Sequence, residues 1–101
     1  MEVSTKCQDR CLEIFLKGEL DHHGAKGLLL FMKNVIEQNV PKQLILNFTG
    51  ITFMDSSGIA VVLRSRQHMQ EVGGAVILRN LMPQPKKVLE AANIGCLVTI
   101  E

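Results

Sequence analysis

At 101 residues and 11.2 kDa the chain is one domain's worth of protein, residues 1–101, and excludes a two-domain enzyme. Eleven Lys and Arg against ten Asp and Glu leave a formal charge of +1, and there is no Trp or Tyr. Neither the electrostatic footprint nor the stacking surface for nucleic acid is present, and no positive patch points to an anionic membrane. The opening residues are polar and charged, unlike a signal peptide, and no apolar run approaches a membrane span. Cys7, Cys11 and Cys96 form an odd set without metal-ligand spacing and read as reduced thiols, so the expected location is cytoplasmic.

Val3, Thr5 and Cys7 alternate with polar neighbours as a short strand does. After a polar turn at Gln8, Asp9 and Arg10, the residues Leu12, Ile14 and Leu16 alternate again, giving a hairpin. Gly18 and Gly24 then bracket a loop, GELDHHG. Ala25, Leu28, Leu29, Met32, Val35 and Ile36 follow at spacings of three and four, one apolar helical stripe ending near Asn39 before Pro41.

Residues 43–48 (QLILNF) read as a buried central strand, broken by Thr49 and Gly50 before residues 51–54. Asp55, Ser56, Ser57 and Gly58 form a helix-start signal, because short polar side chains accept from the free N–H groups of a first turn. The helix behind it, residue 59 to about residue 72, is apolar all round at its start, which predicts buried first turns. Gly73 and Gly74 stop it. Residues 75–78 (AVIL) make another buried strand, Pro83 opens a last helix, and residues 96–100 (CLVTI) make a final strand.

The order β-β-α-β-α-β-α-β predicts an α/β fold with a mostly parallel sheet, right-handed crossovers and an N-terminal hairpin. In that topology the GELDHHG loop and Asp55 to Gly58 lie together on the C-terminal edge of the sheet. Ligand and partner sites of open α/β sheets gather there.

Ser56 is the sharpest residue on that edge. It is either an ordinary helix-start serine or a phosphate acceptor on rigid backbone, where the positive end of the helix favours the added charge. Asp55 beside it opposes that charge, so the domain need not refold on modification. A charge of about −2 placed roughly 6 Å from a partner's negative group costs about 1.4 to 5.5 kcal/mol, enough to release the partner.

Other chemistries fit less well. The surroundings of Ser56, M-D-S-S-G, are not the G-x-S-x-G of a nucleophile elbow, and nothing fixes His22 or His23 at its side. A metal site would draw on Asp21, His22, His23 and Asp55, but adjacent histidines point apart and no ligand spacing is present. An aspartyl-phosphate receiver built on Asp55 lacks its acidic pair and its late lysine. His68, Lys86 with Lys87, and Arg64 with Arg66 read as surface residues. Met32, Met54 and Met69 read as core or soft contact surface, with Met54 the contact candidate because it adjoins Asp55.

F-M-D-S-S-G-I (residues 53–59) resembles the phosphorylation motif of the STAS domain of bacterial anti-sigma factor antagonists. G-E-L-D-H-H (residues 18–23) is similar to a segment of that family's sporulation branch. The spacing between the two, and G-G-x-x-x-x-L around Gly73, agree, so the resemblance runs over essentially the whole chain. The chain departs from that branch at Arg64, Ser65 and Arg66 and around Asn93 to Gly95.

The resemblance implies a protein switch and not an enzyme. The unmodified protein would bind an anti-sigma factor that is itself a serine kinase, so freeing a sigma factor. Phosphorylation of Ser56 would release the kinase, and a serine phosphatase would restore the protein. Asp21, His22, Asp55, Ser57 and Gly58, with Met54, would form the contact surface. No cofactor is implied, since ATP and magnesium belong to the kinase, and nothing demands an oligomer. A second reading is an unphosphorylated STAS scaffold in a transport or signalling complex.

Overall fold

A computed structural model describes residues 1–101. Its sheet has five strands whose spatial order follows the chain: β1 (Glu2–Gln8), β2 (Cys11–Leu20), β3 (Gln43–Met54), β4 (Ala75–Arg79) and β5 (Thr99–Ile100). Only β1 with β2 is antiparallel, closed by a two-residue turn in which Asp9 and Arg10 both take positive φ. The other three pairings are parallel. Successive right-handed crossovers between neighbours put α1 (His22–Asn39), α2 (Ser56–Glu71) and α3 (Pro83–Ala91) on one face.

The core lies between those helices and the sheet. Leu12, Ile14, Leu16 and Leu20 from β2 meet Leu44, Leu46, Phe48, Ile51 and Met54 from β3. Ala25, Leu28, Met32 and Ile36 form the buried stripe of α1. On the opposite face, Asn47 donates to Glu13 (3.0 Å) and Arg79 bridges Glu13 (3.4 Å) and Glu101 (3.1 Å). No helix is long and apolar enough to cross a membrane.

Four features differ from the sequence reading. First, the expected GELDHHG loop shrinks to Asp21, because β2 runs on to Leu20 and α1 starts at His22. Second, Thr49 and Gly50 do not break β3, which is one strand of 12 residues. Its register against β2 slips where Phe15 and Lys17 face Asn47 and Gly50, and again where Gly18 and Glu19 face Ile51 and Phe53. Each slip adds a residue to β3, so the inward positions run 44, 46, 48, 51 and 54 and all stay in the core. Gly50 belongs to the first slip, where a Cβ would lie 2.7 Å from the Leu16 carbonyl oxygen.

Third, the first turns of α2 are not buried all round. Gly58, Val61 and Val62 are buried, whereas Ser56, Ala60 and Leu63 face solvent. These three sit at spacings of four and three, so the apolar character of the outer face had masked an amphipathic helix. Fourth, the final strand keeps only Thr99 and Ile100. Residues Ile94–Cys96 instead form a single 3-10 turn after Asn93, which is in the left-handed region at φ 56.

Candidate functional site

The last pair in the β2–β3 register is Leu20 with Met54. The residue after each strand, Asp21 and Asp55, therefore leaves the sheet at the same end of neighbouring strands. Each is the N-cap of the helix that follows, in extended backbone. Asp21 Oδ1 accepts from the Gly24 N–H at 2.9 Å, and Asp55 Oδ1 accepts from the Ser57 N–H at 2.8 Å. Two helix N-termini thus open on one edge, each with a carboxylate already satisfying part of the first turn. The Gly24 N–H hydrogen bond, helped by the charge of His23, holds the Asp21 carboxyl below the usual carboxylate value.

The Asp55 cap passes over Ser56 and takes the N–H one residue further on. Ser56 is the first helical residue and is exposed, at the positive end of α2. Ser57 is half-buried. His22 is exposed on the neighbouring helix start, its ring edge-on to His23 with centroids 6.0 Å apart. Asp21, His22, Asp55, Ser56 and Ser57 are brought together as the sequence suggested.

Met54 and Gly58 are not on that surface. Met54 is 0% exposed and its side chain lies under α2. Gly58 is buried because a Cβ there would overlap the Met54 side chain and approach Leu20 Cδ2 to 3.2 Å. Their expected contact role is corrected to a supporting one: the two lock strand end and helix start together from below. Met32 and Met69 are likewise 0% exposed and belong to the core. His68 is half-buried beside Glu71, and Arg66 donates to the Leu97 carbonyl at 3.1 Å, so neither is a freely solvated residue. Lys86 and Lys87 are exposed.

One residue at this edge has no counterpart in the sequence reading. Gln84, in the first turn of α3, bonds both backbone groups of Met54: Oε1 accepts from the N–H and Nε2 donates to the carbonyl, each at 2.8 Å. No local pattern marks such a residue. The available signal was that β4 is much shorter than β3, which leaves the end of β3 needing partners from elsewhere.

The profile of the STAS domain family matches residues 2–101. The chain belongs to the STAS domain family. It is 37% identical over 82 residues to the anti-sigma F factor antagonist of Lysinibacillus sphaericus, covering 81% of this chain and 70% of that protein. The unphosphorylated anti-sigma factor antagonist SpoIIAA superposes with a TM-score of 0.85 at 31% identity, over 99% of this chain and 88% of that one. The phosphorylated form of the Bacillus cell fate determinant SpoIIAA gives 0.76 at 30% identity, over 99% and 91%. This STAS domain thus has the expected α/β architecture, and its relatives include proteins known in both phosphorylation states.

Proposed function

We propose that this STAS domain is an anti-sigma factor antagonist switched by phosphorylation of Ser56. Unmodified, it binds an anti-sigma factor serine kinase through the edge formed by Asp21, His22, Asp55 and Ser57, and so frees a sigma factor. The kinase, which brings its own ATP and magnesium, then transfers the γ-phosphoryl group to Ser56. The Ser56 Oγ–phosphorus bond forms, the bond to the ADP leaving group breaks, and the hydroxyl proton passes to a base of the kinase. The added charge weakens the complex without refolding the domain, and a serine phosphatase removes it. The chain itself is a regulatory surface and not a catalyst.

The observation that carries this reading is the cap that bypasses Ser56. Asp55 satisfies the helix start through Ser57, so the Ser56 hydroxyl is not needed to hold the fold and stands exposed on rigid backbone. The likeness to SpoIIAA in both states supports it. The test is intact mass and peptide mapping after incubation with a candidate anti-sigma factor serine kinase and Mg-ATP. A single addition of about 80 Da on Ser56 is expected. No addition, with the kinase active on another substrate, would overturn the switch and leave the scaffold reading.

A further inference from the structure

β3 outruns its neighbour. Its parallel pairing with β4 covers Gln43 with Ala75 through Asn47 with Arg79, and the chain then leaves the sheet at Asn80, whose φ is 58°. The stretch of β3 from Phe48 to Met54 has no strand on that side, yet Met54 is the residue from which Asp55 and Ser56 are hung. The Gln84 side chain fills the gap. A primary amide carries the donor and acceptor of a peptide group, so its two 2.8 Å bonds to Met54 reproduce one rung of a ladder. On the other side the corresponding tie is weaker, since the Asp55 N–H reaches the Leu20 carbonyl at only 3.4 Å.

Gln84 is itself held in place. It stands between Pro83 and Pro85, whose rings restrict the first turn of α3, and Pro85 is buried. The position of α3 is therefore passed to the backbone immediately before Ser56 through one carboxamide.

We propose that Gln84 is a positioning residue for the switch: it fixes the Met54 backbone and thereby pre-organises the Asp55 cap and Ser56 for the kinase. The inference rests on Ser56 being the phosphate acceptor. Without the rung, the segment from Met54 to Gly58 opens locally while the rest of the sheet stays closed. Ordering it again on binding weakens acceptance by the kinase and appears in KM.

The test compares Gln84→Met, which keeps length and helix propensity but neither hydrogen bond, with Gln84→Glu, which keeps the acceptor for the Met54 N–H and cannot donate. In the protein alone, amide hydrogen exchange at Ser57 is expected to speed up about ten- to hundredfold in Gln84→Met, as for loss of two net hydrogen bonds, and less in Gln84→Glu. Exchange at Gly24, which Asp21 caps at the start of α1 away from Gln84, should stay unchanged. With the kinase, KM for the Gln84→Met protein should rise about ten- to hundredfold at unaltered kcat. Unchanged exchange at Ser57, equal acceleration at Gly24 and Ser57, or an unaltered KM would each overturn the proposal. If the wild-type protein accepts no phosphate, the acceptor reading falls, while the exchange result still decides whether Gln84 holds the helix start.

Discussion

The starts of α1 and α2 solve one problem in two ways. Both follow paired strand ends, both are capped by an aspartate, and both open on the same edge. Asp21 reaches three residues on, to Gly24, so the cap spans His22 and His23 and closes the whole turn. Asp55 reaches only two residues on, to Ser57, and leaves Ser56 unneeded. Both caps pass over the first helical side chain, and of the two left exposed, His22 and Ser56, only Ser56 carries a hydroxyl. A hydroxyl that carries no structural duty can be modified without loss of fold, which distinguishes a switch residue from a cap.

The largest expected effect comes from placing charge on each start in turn. With a partner's negative group roughly 6 Å away, a phosphate on Ser56 should weaken kinase binding about ten- to ten-thousandfold, and the single charge of Ser56→Asp about three- to hundredfold. His22→Asp places the same charge at the start of α1, further from a partner group that faces Ser56, and should cost less. Ser56→Ala should bind yet resist release by ATP. Calorimetry with the kinase and Mg-ADP reads the three affinities, and dissociation after adding Mg-ATP reads the release of Ser56→Ala against the wild type. Equal losses for Ser56→Asp and His22→Asp would erase the difference between the two starts.

Packing beneath the starts comes next. Gly58→Ala drives a methyl group into Met54, and overpacking of this kind costs about 1 to 3 kcal/mol. That corresponds to a fall in Tm of about 4 to 8 °C per kcal/mol in a domain this size. Gly27→Ala, in the exposed middle of α1 where a Cβ meets nothing within 4 Å, should instead stabilise by about 0.5 to 1 kcal/mol. Thermal melts of the pair read both signs. A neutral Gly58→Ala would mean that Met54 moves easily, and the lock between strand end and helix start would be lost from the argument.

Much of this edge was legible in the sequence because its signals are local. Alternation marked β1 and β2, the three-and-four spacing from Ala25 to Ile36 marked α1, and Asp-Ser-Ser-Gly marked the start of α2. What stayed hidden depends on partners distant in the chain. The two slips in β3 exist only against β2, so Thr49 and Gly50 looked like a break when they are where the strand gains a residue. Met54 read as a contact residue because it adjoins Asp55, but a strand's alternation, displaced by those slips, turns it inward. Gln84 finds Met54 thirty residues away, and nothing near it in sequence announces the bond.

The cap at α2 should be separable from the charge that forms it. Asp55→Ala removes the acceptor for the Ser57 N–H and should cost about 1 kcal/mol of stability. Asp55→Asn keeps a capping oxygen, so it should hold most of that stability while removing the negative charge beside Ser56. If both variants melt alike, the hydrogen bond to Ser57 is not what steadies this start, and the exposed hydroxyl of Ser56 needs another account.

The smallest effect lies at the start of α1 and is read with pH. The native Asp21 carboxyl lies below its ordinary value of 3.8, chiefly through the Gly24 N–H, so the ionised form is favoured by folding. A group depressed in this way takes up its proton later in the native state than in the unfolded chain. Its contribution is therefore complete above about pH 3.8 and is lost as pH falls through the lower native value. Asp21→Asn keeps a capping oxygen that does not titrate, so its melting temperature should depend less steeply on pH below 3.8 than that of the wild type. Parallel acid melts of the two proteins would show that the Asp21 charge adds nothing to the cap. The two starts would then differ only in which N–H their aspartates reach, and the exposed Ser56 hydroxyl alone would set them apart.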